Sequence, residues 1–335
     1  MKVLIAGGAG FIGSTIASAC LDEGITPVIL DNLSTGREEF ARDRNLFLGD
    51  IADGAVVERI FSEHPDIEVV VHAAGLIVVP ESAVDPLRYY RENVGKSIDF
   101  IGHLLNNGCS RILFSSSASI YESGADFAVD EDSGIAPNSP YARTKAMMEA
   151  ILTDCAQAYD LRALSLRYFN PIGADPKMRT GLQILEPSHV LGKLIDAANP
   201  GAEFHVTGTD WPTRDGSGIR DYVHVWDLAR GHVRALLRFD AILPQHGDTS
   251  HMPINLGTGQ GTTVRELITA FERVLGRPLA VRVSPPRPGD IAGSFARNER
   301  ARELLGWEPA LSLEDGIRDS LTWTRLREQM LDVSR

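Results

Sequence analysis

Tyr141-Ala142-Arg143-Thr144-Lys145 sets a phenol and an ammonium four residues apart, one turn of helix and one face. Together they form an acid/base device. The cation is expected to favour phenolate and to draw the tyrosine pKa down from about 10 towards working pH. Upstream lies Ser115-Ser116-Ser117, where a hydroxyl at Ser117 could reach both the phenol oxygen and a substrate hydroxyl. A serine run read alone fits a satisfied loop; its place after a strand and before the Tyr141 helix favours chemistry. Of the 33 basic residues only Lys2, Lys96, Lys145, Lys177 and Lys193 are lysines. A chain that otherwise uses arginine keeps lysine beside Tyr141, which suits a site needing a compact point charge rather than a planar fork.

The cofactor for such a device is suggested by Gly7, Gly10 and Gly13, which follow the apolar run Val3–Ala6 and open a helix. Glycines at this spacing allow a tight turn, close approach of backbone to pyrophosphate and close helix–strand packing, with the helix N-terminus facing the anion. Asp31 ends the second apolar run. A carboxylate there accepts from both ribose hydroxyls and repels a 2′-phosphate, so NAD is expected over NADP. Asp50-Ile51, after the third run, would flank the adenine.

These groups need a scaffold that delivers them to one edge. Strands are expected at Lys2–Ala6, Pro27–Leu30, Asn45–Leu48, Glu68–His72, Arg111–Ser115 and Ala163–Tyr168, with helices at about Ile12–Glu23, Asp85–Asn107 and Ser139–Tyr159. Alternation of this kind means βαβ units with right-handed crossovers. The fold class is therefore α/β, a Rossmann-type doubly wound parallel sheet with a smaller α/β C-terminal lobe. Residues 1–170 form the nucleotide-binding domain, to which 221–260 return through a strand at Pro253–Leu256; 171–220 and 261–335 form the lobe. Helices are expected at Val190–Ala198, Tyr222–Phe239, Thr262–Leu275, Asn298–Leu305 and Leu313–Arg325.

An apolar fraction of 43% and a charged fraction of 23% over 335 residues are those of an ordinary soluble enzyme. The net charge of −12 argues against nucleic acid and anionic membranes. Met1-Lys2 leads directly into an apolar strand, and no stretch approaches the roughly 18 apolar residues of a membrane span. A cytoplasmic location is expected. Cys20, Cys109 and Cys155 stand far apart, which implies a reducing compartment and no cysteine-based metal site. An acidic chain that binds an anionic ligand needs particular arginines.

The residues quoted so far, with Asp31-Asn32-Leu33, Gly49-Asp50-Ile51, Ala73-Ala74-Gly75-Leu76, Glu92-Asn93-Val94, Arg167-Tyr168-Phe169-Asn170-Pro171, Arg220-Asp221-Tyr222-Val223-His224-Val225 and Asn255-Leu256-Gly257, resemble the extended short-chain dehydrogenase/reductases. Within them the chain is similar to the NAD-dependent epimerases that invert C4 of a UDP-linked hexose. The resemblance runs nearly end to end. It implies Ser117, Tyr141 and Lys145 as the catalytic set. It implies NAD contacts from Gly7, Gly10, Phe11, Ile12, Gly13, Asp31, Asn32, Asp50, Ile51, Ala73, Ala74, Gly75, Asn93, Ser115, Tyr168 and Phe169, with Tyr141 and Lys145. The UDP-sugar would lie against Ser117, Tyr141, Asn170, His189, Val190, Arg220, Arg287, Asp290 and Ser294, with Arg220 and Arg287 forking onto the diphosphate. No metal is implied.

Five positions depart from the pattern of that family: Ile77 where a lysine is common, the pair His189-Val190, Gly192 for a proline, and Ser294 where a tyrosine often closes the sugar pocket. A small residue at 294 leaves room for a 2-acetamido group. A related dehydratase would need an Asp-Glu pair where this chain has Ala118-Ser119. An epimerase of UDP-glucuronate or a UDP-pentose, and a non-catalytic NAD-binding protein, remain as alternatives. The family's dimer faces correspond to Asp85–Asn107 and Ser139–Tyr159, so a homodimer is expected.

Overall fold

The computed structural model describes residues 1–247, 249–286 and 291–331. In chain order the first half runs β1 (Lys2–Ala6), α1 (Phe11–Asp22), β2 (Thr26–Asp31), β3 (Asn45–Leu48), α2 (Gly54–Glu63), β4 (Ile67–His72), α3 (Val79–Val84), α4 (Pro86–Tyr90), α5 (Lys96–Asn106), β5 (Arg111–Ser117), β6 (Ala128–Val129), α6 (Pro140–Ala158) and β7 (Arg162–Tyr168). There follow β8 (Asn170–Ile172), α7 (Val190–Ala197), β9 (Phe204–Thr207), β10 (Ile219–Arg220), β11 (Tyr222–His224), α8 (Val225–Ile242), β12 (His251–Leu256), β13 (Thr262–Thr263), α9 (Val264–Leu275), β14 (Val281–Ser284), β15 (Gly293–Ala296), α10 (Glu299–Leu305) and α11 (Leu313–Met330).

Seven strands form one parallel sheet in the order β12-β7-β5-β4-β1-β2-β3. Its inner strands bury both faces: β4 is IEVVVH, with only Glu68 exposed. One core fills the face under α1, α8 and α10 and reaches Trp307; the other fills the face under α2, α5 and α6. Strand order reverses between β1 and β4, the crevice where doubly wound sheets bind ligands. The glycine turn leaves β1 there, and Ala73-Ala74-Gly75 leaves β4.

A third core joins Leu191 and Leu194 of α7, Phe204 and Val206 of β9, Tyr222, Leu267 and Phe271 of α9 and Ile317 of α11. Beside it a four-stranded sheet runs β13-β10-β15-β6, so Ala128–Val129 leaves the first half of the chain to pair with β15. Asp221, fully buried, ties the parts together. Its carboxylate accepts from Thr258 N and Oγ1, Gly259 N and Ala296 N.

Two expected helices differ. The segment Asp85–Asn107 is not continuous: Pro86 opens α4, a π-helical turn spans Arg91–Gly95, and α5 begins only at Lys96. The wide turn accompanies Asn93, whose buried side chain is pulled sideways onto Leu76 and Thr144. π-turns of this kind recur at functional sites. The helix expected from Tyr222 begins at Val225, because Tyr222–His224 pairs with β8 as a strand.

Candidate active site

Helix α6 starts at Pro140 with Ser139 as N-cap, its hydroxyl accepting from Ala142 N at 3.1 Å. The cap fixes the first turn, which carries Tyr141; Lys145 lies one turn on. Both are buried, at 8% and 6% exposure. Lys145 Nζ donates to the Ser115 carbonyl at 2.8 Å and lies 4.9 Å from the centroid of the Phe114 ring and 5.9 Å from that of Tyr141. Strand β5 ends with Ser117, whose Oγ caps the short helix Ala118–Ile120 and bonds Ser119 Oγ at 3.0 Å.

The expected electrostatics need correction. Burial holds the Tyr141 phenol above its ordinary pKa, and the opposing pull is a hydrogen bond with Ser117. Burial also lowers Lys145 to about 8, against the attraction of Glu149 one turn further along. In the protein alone desolvation outweighs the cation's effect on the phenol.

The glycine turn closes tightly. A Cβ on Gly7 would meet Ala74 N at 2.6 Å and one on Gly13 would meet Gly7 O at 2.2 Å, whereas at Gly10 only Gly7 O lies near, at 3.5 Å. Gly10 is also the N-cap of α1 and supplies no side-chain cap. The leading N–H groups, among them those of Phe11, Ile12 and Gly13, therefore have no intrahelical or capping acceptor. Asp31 ends β2 beside them with its carboxylate accepting from Ala9 N at 2.9 Å and Leu33 N at 2.8 Å. Uncapped donors, an open position at Gly10, a carboxylate at the end of β2 and a buried ammonium with the Ser115 carbonyl as its one hydrogen-bond acceptor among the described residues fit a dinucleotide diphosphate, its ribose and a second ribose.

Other predicted contacts are engaged within the chain. Asn93 accepts from Leu76 N at 2.7 Å and donates to Leu76 O at 2.9 Å and Thr144 Oγ1 at 3.2 Å, so its side chain pins the Gly75-Leu76 turn. Asp50 accepts from Lys96 Nζ at 2.7 Å and Asn32 Nδ2 at 3.1 Å; Ile51 beside it is buried. Ala73 and Ala74 are half-buried at the end of β4, and Tyr168 and Phe169 leave β7. Ile77, at the departure from the common lysine, is 57% exposed.

Towards the lobe, Asn170 of β8 pairs with Tyr222 of β11, and Arg220 of β10 pairs in parallel with Ser294 of β15. Arg220 Nη1 donates to Ile219 O and Ala292 O, both at 2.7 Å, so the expected diphosphate fork here clasps backbone. The Nδ1 of His189 caps α7, accepting from Gly192 N at 3.1 Å, and Val190 opens that helix. Gly192 suits this bend, since a Cβ there would meet Pro187 Cγ at 2.3 Å. Arg287 and Asp290 lie outside the described residues.

Sequence reasoning passed over several polar groups. The Tyr222 hydroxyl is buried without a partner among the described residues, beside Asn170 and Arg220; it sits inside the Arg-Asp-Tyr motif and could have been singled out there. Lys96 bridges Asp50 and Glu92. Glu149 and Arg167 are buried at 7% and 5%. Only the spacing of four from Lys145 to Glu149 hinted at the first of these.

The profile of the NAD dependent epimerase/dehydratase family matches residues 3–256. A UDP-glucose 4-epimerase of Azospirillum brasilense is 40% identical over 334 residues, covering 98% of this chain and 93% of its own. A crystal structure of UDP-glucose-4-epimerase from Stenotrophomonas maltophila, with bound NAD and formylated UDP-arabinopyranose, superposes with a TM-score of 0.91 at 36% identity over 98% of this chain and 99% of that one. The UDP-glucose 4-epimerase of Bifidobacterium longum, in complex with NAD+ and UDP, gives 0.87 at 32% over 99% and 100%. A doubly wound parallel sheet, an uncapped glycine turn at its switch point and a match over most of its length place this chain in the NAD dependent epimerase/dehydratase family.

Proposed function

We propose that the protein is an isomerase that interconverts UDP-glucose and UDP-galactose by transient oxidation at the sugar C4, and that it also turns over the 2-acetamido pair. The observation that carries this is the meeting of Ser117, Tyr141 and Lys145 at the C-terminal end of β5, the sheet edge that also receives the glycine turn. NAD would be held by residues 7–13, Asp31, Asp50-Ile51, Ala73–Gly75 and Lys145, and when bound it supplies a reversible acceptor for the hydrogen on C4.

The chain's own part is proton transfer and positioning. Tyr141 as phenolate takes the proton of the 4-hydroxyl and later returns it. Burial opposes that phenolate, so the Lys145 ammonium and the Ser117 hydroxyl are needed to make it accessible. Ser117 also hydrogen-bonds the reacting oxygen. Base catalysis of this kind contributes roughly 10²–10⁴-fold. Residues 1–170 and 221–260 form the cofactor domain, and 171–220 with 261–335 hold UDP through Arg220, Arg287 and Asp290, with Asn170 reaching it from the end of the cofactor domain. Strong anchoring at UDP leaves the sugar loose enough to present either face.

Two further parts of the reading are assembly and location. Val84, Leu87, Ile98 and Met147 expose 86%, 64%, 48% and 46% of their surface along α3–α6. Exposed apolar side chains on these helices favour a homodimer, which light scattering would read as twice the chain mass. Among the described residues no helix is long and apolar enough to cross a membrane, and a cytoplasmic location accords with that.

The test is incubation of purified protein, without added cofactor, with UDP-galactose, UDP-GalNAc and UDP-glucuronate, followed by separation of the sugars. Conversion of the first two is expected. A folded protein that carries NAD and converts none of them would instead be a non-catalytic NAD-binding protein.

A further inference from the structure

The three serines that end β5 face different duties. Ser117 points to the candidate site, and the Ser115 carbonyl holds Lys145. Ser116, between them, donates its hydroxyl to Glu149 of α6. Glu149 lies one turn beyond Lys145, so α6 grips β5 twice within two residues. The strand register sets Ser116 directly beside Arg167 of β7, and Arg167 closes on the same carboxylate. Its Nε reaches both oxygens, at 3.0 and 3.1 Å, and Nη2 reaches Oε2 at 2.5 Å. The far side of Arg167 donates to Tyr121 OH at 2.9 Å and Glu131 O at 3.2 Å.

We infer that Glu149 is a positioning residue of the proposed reaction: held by Arg167, it fixes the Ser115–Ser117 strand end and keeps the Lys145 ammonium charged. The inference rests on the epimerase reading and names the group on which its lysine depends. It stands on geometry. A buried carboxylate gripped by a bidentate guanidinium and a serine hydroxyl is held in one place. One helical turn separates it from an ammonium whose acceptor among the described residues is a single carbonyl.

Every charged or titratable group around Lys145 bears on the sign. On α6 it is faced by Tyr141 and Glu149. His72 of β4 is neutral, its pKa pushed to about 3 by burial and by the Lys145 charge itself. From β7 come the Tyr168 phenol and Arg167. His251 of β12 lies near Glu149 and Arg167 and is pushed down by burial. Glu149 is thus the nearby anion that opposes desolvation of the ammonium. Removing its charge leaves Arg167 and burial acting in one direction, towards loss of the Lys145 proton.

The test reads Lys145 directly. With five lysines in the chain, a ¹³Cε-lysine NMR titration resolves the one that disappears in Lys145→Met. In the wild type its midpoint is expected near 8. In Glu149→Gln it falls by about one pH unit or more; in Ser116→Ala it stays in place. Alongside, Glu149→Gln loses roughly tenfold in kcat with KM within about twofold, and its activity declines at lower pH on the alkaline side. Breaking a buried pair is destabilising, whereas replacing both members is tolerated. Glu149→Gln/Arg167→Met therefore serves as the second variant, with a midpoint between those of the wild type and Glu149→Gln. A midpoint at the wild-type value in either folded variant overturns the inference. A wild type that turns over no UDP-sugar overturns the epimerase reading instead and leaves the titration to decide the role of Glu149.

Discussion

The floor of the candidate site and its lobe-side wall are built in opposite ways. Under α6, β5 and β7 run seven residues each in unbroken register. Buried Glu149, Arg167, Tyr121, Asn255 and Glu131 form one connected polar network there. Towards the lobe, β10 has two residues and β15 four. Arg220 is partly exposed and holds backbone carbonyls, pressed so close to Gly293 (φ 118°) that a Cβ there would lie 2.0 Å from Nη1. A buried, saturated network resists rearrangement, because each group it frees costs its full desolvation. A guanidinium resting on carbonyls can exchange them for a phosphate at modest cost. The difference suits a reaction that needs a fixed proton carrier and an anchor able to close around its ligand.

The most severe way to break this contrast lies on the floor. Tyr141→Phe keeps the buried ring and removes the group proposed to accept the proton. It is expected to lose about 10²–10⁴ in kcat while KM and melting temperature barely move. Steady-state rates on UDP-galactose with a thermal melt measure both. Residual activity within threefold of wild type would mean that another base carries the step.

The floor and the wall also differ in how plainly the sequence displays them. Every strand of the large sheet is visible as a short apolar run, because a parallel sheet buries both faces and leaves a continuous signal. The glycine turn and the Tyr141–Lys145 spacing are equally plain, since each is a local pattern. Asn93 is harder: its motif marks the position, yet its bonds reach Leu76 and Thr144 across the fold. The same contacts accompany the π-helical turn that interrupts the expected Asp85–Asn107 helix. Glu149 reads as an ordinary helix carboxylate until β7 brings Arg167 beneath it. The rise on Tyr141 escapes the sequence because spacing reports the neighbouring cation but not the depth of burial. On the wall, β10 and β13 have two residues each, too few for any periodicity to register.

A middle-sized effect sharpens the contrast from the other side. Arg220→Ala removes a guanidinium that no proton transfer uses. KM for UDP-sugars is expected to rise roughly 10–100-fold, with kcat changing less than about threefold, the pattern of lost uniform binding. Its hydrogen bonds to the Ile219 and Ala292 carbonyls are only part-buried, so folding should survive. Competition by UDP alone, followed by calorimetry, should weaken by the same factor. An equal fall in kcat would show that the wall, too, takes part in the chemistry.

The smallest effect concerns the sugar rather than the anchor. Ser294 stands beside Arg220 in the β10–β15 register, so its side chain is placed by the same short strands. Ser294→Tyr adds a ring at the wall and leaves Tyr141, Lys145 and the floor untouched. If the serine leaves space for a 2-acetamido group, turnover of UDP-GalNAc should fall roughly tenfold or more, while that of UDP-galactose stays within about twofold. Pocket walls discriminate by added bulk more readily than by its removal, because overpacking costs about 1–3 kcal/mol where space is short. The ratio of the two kcat/KM values is the measurement. An unchanged ratio would put the acetamido group elsewhere in the lobe, and a parallel loss on both sugars would mean that β15 sets the position of Arg220 more than it sets specificity.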